Sequence, residues 1–171
     1  EYKDKIESFS RTGGRVLVFA RYFGEIEGKP LTARVEPLAF VVLSNPIRQN
    51  AKETFKYFAE QEVQVKVISG DNPVTVSEVA LRAGIEGAER FIDASTLHTE
   101  KDIYEAAGKY VVFGRVSPEQ KRQLVGALQK QGNTVAMTGD GVNDVLALKD
   151  ADCSIAMASG SEAAAQAAQV V

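Results

Sequence analysis

The chain has 171 residues, with 20 Lys and Arg against 23 Asp and Glu, a net charge of -3 and a sequence pI of about 5.3. That length supports one well-buried core with a small appended piece, and the acidic balance offers no general attraction to nucleic acid or an anionic membrane. One cysteine (Cys153) excludes an internal disulfide, one histidine (His98) excludes metal sites built on thiolate or imidazole clusters, and no run approaches the roughly 18 apolar residues of a membrane helix.

Residues 1–11 read as a weak helix carrying Ile6 and Phe9, stopped by Gly13-Gly14. A strand over 15–22 follows, with Val16, Leu17, Val18, Phe19 and Ala20 compact and β-prone. One helix and one or two strands cannot bury two faces, so residues 1–36 are expected to be the end of another domain.

The pattern changes at Pro37. Residues 38–43 are almost wholly apolar, as in a strand covered on both faces of a parallel sheet, and they stop at Ser44-Asn45-Pro46. A helix over about 49–61 puts Ala51, Phe55, Phe58 and Ala59 on one side. A strand over 63–68 ends at Ser69-Gly70-Asp71-Asn72. The next helix, about 75–83, has a stripe of Val76, Val79, Ala80 and Ala83 and is ended by Gly84. Residues 93–97 lead to a helix near 100–107, and 110–113 is a further strand. Ser117, Pro118 and Gln120 make a capping box with proline at the first helical position, opening a helix to about Lys130 with Leu124, Val125 and Leu128 inward. Then come a strand at 134–137, the turn Gly139-Asp140-Gly141, a helix opened by Asn143 and Asp144 that ends near Asp150, and a strand at 153–157. Strand and helix alternate from residue 38 onward. This predicts an α/β fold for 37–171: a Rossmann-like, predominantly parallel sheet with helices on both faces and right-handed crossovers.

Open α/β sheets bind ligands at the carboxyl ends of their strands. Asn45, Ser69, Asp71 and Asp140 all follow apolar runs and can gather at one such edge, and Lys121 lies one turn inside a helix that begins just beyond another strand. Asp144 can reach the same pocket, while Asn143 supplies a neutral donor and acceptor. A hydroxyl, an ammonium and carboxylates for a hard cation suit a phosphoryl group held with Mg²⁺. Each residue also has a plain structural reading. Ser69 can cap a turn, Asp71 or Asn143 can cap a helix, and Lys121 can be a solvated helix lysine. Their convergence at strand tips favours the site.

Residues 138–144, TGDGVND, together with Ser69-Gly70-Asp71-Asn72, residues 115–121 (RVSPEQK) and Ala156-Met157-Ala158-Ser159-Gly160, resemble the phosphorylation domain of P-type cation-transporting ATPases. That domain is of the haloacid-dehalogenase type. The resemblance runs from about Pro37 to Val171. Gly13-Gly14-Arg15-Val16-Leu17 is similar to the final strand of the family's nucleotide-binding domain, which makes 1–36 its C-terminal remnant. The resemblance implies that Asp140 ligates Mg²⁺, with Asn143 and Asp144 as polar support. Ser69, where threonine is usual, would donate its hydroxyl to the phosphoryl group, and Lys121 would neutralise the phosphoryl oxygens. Asp71 would order the site and the hinge. Arg15 would meet the ATP phosphates, Arg115 the ribose and hinge, and Gly70, Asn45 and Arg48 would belong to the nucleotide side. Asn45 replaces the family's usual aspartate and carries no charge. Val145-Leu146 replaces the more familiar Ala-Pro, a change associated with a bacterial branch that includes proposed calcium transporters.

The family phosphorylates an aspartate in Asp-Lys-Thr-Gly-Thr, and that sequence occurs nowhere in these 171 residues. The resemblance therefore implies the catalytic core of an ATP-driven cation pump with its first, nucleophile-bearing strand missing, unable by itself to form the aspartyl-phosphate. It further implies ATP and Mg²⁺ as cofactors and the rest of the pump as partner, with the cation passing through a membrane domain. The full-length protein would lie in the cell membrane with this segment on the cytoplasmic side, and no nucleic acid is expected. Two alternatives stay open: a soluble phosphohydrolase of the same superfamily, and a phosphate-binding regulatory module without turnover.

Overall fold

The computed structural model describes residues 6, 8, 9, 15–24, 28, 30–43 and 46–171, with only the backbone described at Arg15. Gly13, Gly14, Ser44 and Asn45 lie outside the described residues, as does most of the expected helix at 1–11.

Arg15–Tyr22 (β1) pairs antiparallel with Val35–Leu43 (β2), from Arg15 opposite Leu43 to Tyr22 opposite Val35. This corrects the expectation for 38–43. That segment is one arm of a two-stranded ribbon and not a covered parallel strand, with Leu38 49% and Leu43 48% exposed. An apolar run announces a strand but cannot name its partner, and a nearby strand closes the smaller loop. The ribbon also straddles the expected boundary at 37, since Ala20 pairs with Pro37 and Arg21 with Glu36.

The remainder runs Ala51–Glu60 (α1), Val67–Ile68 (β3), Pro73–Ala83 (α2), Phe91–Asp93 (β4), Glu100–Lys109 (α3), Val112–Gly114 (β5), Pro118–Lys130 (α4), Ala136–Gly139 (β6), Val145–Asp150 (α5), Cys153–Ala156 (β7) and Glu162–Ala167 (α6). Strands and helices alternate and every ladder among β3 to β7 is parallel, so the fold is α/β with parallel sheets flanked by helices. The strands form two parallel sheets, β3–β5–β4 and β6–β7. Within the described residues β3 and β6 are both edge strands, and no ladder joins them.

Helix α4 connects the two halves. Its Leu124 and Ala127 join Ala94, Ile103, Ala106, Phe113 and Val116 in one core, while Val125 joins Met137, Ala147, Leu148, Ala156 and Ala164 in another. A third cluster, with Ala80, Ile85, Val111 and Val112, lies under α2. The expected inward face of α1 is not enclosed: none of its residues is buried, although Phe55 packs partly against the third cluster. Strand β6 begins two residues later than expected because the Asp152 carboxylate accepts the Val135 amide at 2.8 Å. Among the described residues, no helix is long and apolar enough to cross a membrane.

Candidate active site

Strand β6 ends at Gly139, and the chain turns through Asp140 and Gly141 into a 3-10 turn, Val142–Asp144. The tip is tightly enclosed. A Cβ at Gly139 would lie 2.6 Å from the Asp144 Cβ, and one at Gly160 would lie 2.5 Å from the Asp140 carbonyl oxygen. That carbonyl accepts the Ser161 amide at 2.7 Å. Glycine is thus required for close approach at both places. The Asp140 side chain itself is exposed.

Behind the tip, Asp144 is buried and fully engaged. Its Oδ1 accepts from Lys121 Nζ at 2.6 Å, and its Oδ2 accepts the amides of Gly141 at 3.0 Å and Asp140 at 3.2 Å. Burial works to raise the Asp144 pKa, but the Lys121 hydrogen bond and charge and the two amides outweigh it and hold the carboxyl below its ordinary value. Asp144 therefore aims Lys121 and fixes the turn, and its oxygens are already committed. Lys121 has an ammonium with three N–H groups and uses one here, leaving donors for a phosphoryl oxygen.

The donor chemistry accommodates Mg²⁺ as a partial set. Mg²⁺ commonly takes one or two carboxylates and completes its shell with water and phosphate oxygens. Asp140 offers one such exposed carboxylate, and among the described residues no three His, Cys, Asp or Glu side chains cluster to form a closed cage.

The loop after β3 is tied to the loop that opens α4. The Ser69 carbonyl accepts the Val116 amide at 3.0 Å, and the Asp71 carbonyl accepts the Arg115 amide at 2.8 Å. The Ser69 hydroxyl oxygen accepts the Asp71 amide at 3.1 Å, which leaves its proton to donate. Nothing lies within 4 Å of the place a Cβ would take at Gly70, so the loop surface is open there. The helix cap after this loop is Asn72, whose Oδ1 accepts the Val74 amide at 2.9 Å, and not Asp71. The expected box at α4 is present, with Ser117 Oγ accepting Gln120 N at 3.2 Å and Gln120 Oε1 accepting Ser117 N at 3.1 Å. A continuous path therefore runs from Ser69 and Asp71 through Arg115 and Val116 to Ser117, Lys121, Asp144 and Asp140.

The other expected residues are less closely joined. Asn143 is exposed on the 3-10 turn, and Arg48 is exposed before α1 with its carbonyl accepting the Ala51 amide at 3.0 Å. Asn45 and the Arg15 side chain lie outside the described residues. Sequence reasoning gave no role to Asp93, which forms an ion pair with Arg115. It also missed Gln120 Nε2, which donates to the carbonyls of Ala94 at 2.8 Å and Leu97 at 3.2 Å. The only local signal for Asp93 is an aspartate two residues before Ser95, a turn-capping spacing.

A parallel α/β scaffold with a lysine–aspartate pair behind an aspartate-bearing strand tip is the architecture of a haloacid dehalogenase-like hydrolase. Residues 5–152 match that family model, and the chain belongs to the family. Within it, the chain belongs to the P-type cation-transporting ATPases and is related to their bacterial calcium-transporter branch. It is 49% identical over 166 residues to the calcium-transporting ATPase CtpE of Mycobacterium tuberculosis (strain CDC 1551 / Oshkosh), covering 96% of this chain and 21% of that protein. Against the probable cation-transporting ATPase exp7 of Streptococcus pneumoniae serotype 4 the identity is 46% over 161 residues, covering 93% and 21%. The magnesium-transporting ATPase, P-type 1, of Salmonella typhimurium is 30% identical over 174 residues, covering 98% and 19%. The chain thus spans about a fifth of the length of these curated relatives.

Proposed function

We propose that the chain is part of the catalytic core of an ATP-driven cation transporter, holding the phosphoryl group and its Mg²⁺ while an aspartate elsewhere in the longer protein is phosphorylated and the resulting aspartyl-phosphate is then hydrolysed. The observation that carries this reading is the buried Lys121–Asp144 pair directly behind the tip of β6. Lys121 would donate to the phosphoryl oxygens, with Asp144 holding it in place. Ser69 would donate its hydroxyl from the neighbouring loop, whose shape Asp71 maintains, and Asn143 would supply neutral polar contact. Asp140, with phosphate oxygens, would hold Mg²⁺, which when bound neutralises charge on the transferring group. Gly70 and Arg115 would face the nucleotide, together with Arg15, Asn45 and Arg48. The open edges of β3 and β6 would receive the strand bearing the nucleophile. Residues 1–36 would belong to the nucleotide-binding domain, and the pairing of β1 with β2 argues for assigning Val35–Leu43 to it as well. The likeness to CtpE supports Ca²⁺ as the transported ion and a membrane setting for the full-length protein, with this segment on its cytoplasmic side.

Acid-quenched incorporation of radiolabelled γ-phosphate from ATP tests the reading. The full-length protein should form an acid-stable, hydroxylamine-labile phosphoenzyme, and Asp140→Asn should lower it by about two orders of magnitude or more, the scale of losing several kcal/mol of charge stabilisation. The present chain alone should remain unlabelled. Near-normal labelling of Asp140→Asn at low Mg²⁺ would reject the metal role, and acyl-phosphate on the isolated chain would reject the missing nucleophile.

A further inference from the structure

A second charged cluster is built where β4 and β5 end. The two strands are parallel with Asp93 opposite Gly114, so Asp93 closes one strand beside the point where Arg115 leaves the other. Arg115 turns there with φ of 53°, a left-handed conformation that costs a side chain of this size. Its amide is tied to the Asp71 carbonyl, and its Nη1 donates to Asp93 Oδ2. The other Asp93 oxygen is fixed by its own turn, accepting the Ser95 amide at 3.1 Å and the Ser95 hydroxyl at 2.6 Å. Burial works to raise the Asp93 pKa, but the Ser95 and Arg115 hydrogen bonds and the Arg115 charge outweigh it and hold the carboxyl below its ordinary value. An exposed ion pair contributes less to stability than a left-handed non-glycine turn costs, so stability alone does not account for the arrangement. Arg115 remains half exposed, and its planar fork has five N–H groups, most of them uncommitted.

We propose that Asp93 is a positioning residue that holds the Arg115 guanidinium at the strand-tip edge beside the 69–71 loop, with its remaining N–H groups presented to an oxygen of the bound nucleotide. This rests on the reading of Arg115 as a nucleotide contact and goes beyond it by naming the group that aims the arginine. Asp93 touches no reacting atom, and its effect falls on nucleotide binding.

The test is steady-state ATP hydrolysis by the full-length transporter as a function of ATP concentration, in wild type, Asp93→Asn, Arg115→Ala and the double variant. Asparagine keeps an oxygen for Ser95 but removes the charge facing Arg115. The expected result for Asp93→Asn is a KM about three- to five-fold higher with kcat within about two-fold, the scale of weakening one exposed charged interaction in ground-state binding. The double variant should be no worse in KM than Arg115→Ala alone. A raised KM in Arg115→Ala with an unchanged KM in Asp93→Asn overturns the positioning role and leaves the nucleotide reading intact. An unchanged KM in Arg115→Ala overturns both. Independent, additive effects in the double variant overturn the claim that Asp93 acts through Arg115, and a lowered thermal midpoint of Asp93→Asn with an unchanged KM assigns Asp93 to the turn alone.

Discussion

Asp144→Asn isolates the central ion pair of the site. The Lys121 and Asp144 side chains are only 13% and 7% exposed, and their contact is 2.6 Å. Removing one partner of a buried pair costs about 3–5 kcal/mol, because the other charge is left uncompensated. Asparagine retains an oxygen for the Gly141 amide, and a lysine stem can swing its head toward water, so the lower end, about 3 kcal/mol, is expected. At a urea m-value of about 1–3 kcal/mol/M this lowers the unfolding midpoint by about 1–3 M, read by circular dichroism at pH 7. Lys121→Met should cost a similar amount, and the double variant less than the sum, since replacing both partners removes the stranded charge. The pH dependence has a definite sign. The Asp144 pKa is lowered by folding, so its contribution is fully present above the unfolded value of about 3.9 and is lost as pH falls through the lower folded value. Below about pH 4, wild type should therefore lose stability more steeply than Asp144→Asn. A cost under about 1 kcal/mol, as for an exposed pair, together with parallel pH profiles, would refute the reasoning.

Two further substitutions test the scaffold around the site. Ser117→Ala removes the acceptor of the Gln120 amide and should cost about 1 kcal/mol, a fall of about 2–4 °C in the thermal midpoint for a chain of this size. Gly114→Ala would place a Cβ 2.4 Å from the Pro73 Cα, a backbone atom that cannot turn aside, so expression should yield little folded protein. Soluble Gly114→Ala with an unchanged urea midpoint would show that β5 and α2 can separate at no cost.

What the sequence made legible is what neighbouring residues decide. Ser117, Pro118 and Gln120 lie within one helical turn, and Gly84 takes the left-handed conformation with φ of 88° that ends α2. Such signals need no knowledge of the rest of the fold. Residues 38–43 show the opposite case: apolar content marked a strand, but its pairing with β1 is a choice between partners that the pattern does not encode. Helix α6 was illegible because its alanine-rich sequence, EAAAQA, has little contrast between faces. The site divides in the same way. Lys121, Asp140 and Asp144 were marked by their places at strand tips and helix starts, whereas the direct bond from Lys121 to Asp144 spans 23 positions and only the fold reveals it. The Asp93–Arg115 pair spans 22 positions and left no trace in any local motif that names both partners.

The placement of α4 explains why this site depends on packing as much as on charge. Among the described residues no strand ladder connects β3–β5–β4 to β6–β7, so the relation between the Ser69 loop and Asp140 is carried by side chains and loops. Leu124 and Ala127 hold α4 to the first core, Val125 holds it to the second, and Lys121 reaches from the same helix to Asp144. The loop entering that helix is itself bonded to Ser69 and Asp71 through Val116 and Arg115. A shift of α4 along either core would therefore move the lysine relative to both strand tips at once. Phosphoryl transfer depends on holding several groups in fixed relation to one phosphate, and misplacement of about 1 Å can cost two orders of magnitude in rate. The Lys121–Asp144 pair thus joins α4 to the turn after β6 by a direct bond, in addition to the packing of Val125, and under the proposed reading that is where the spacing of the two strand tips would matter.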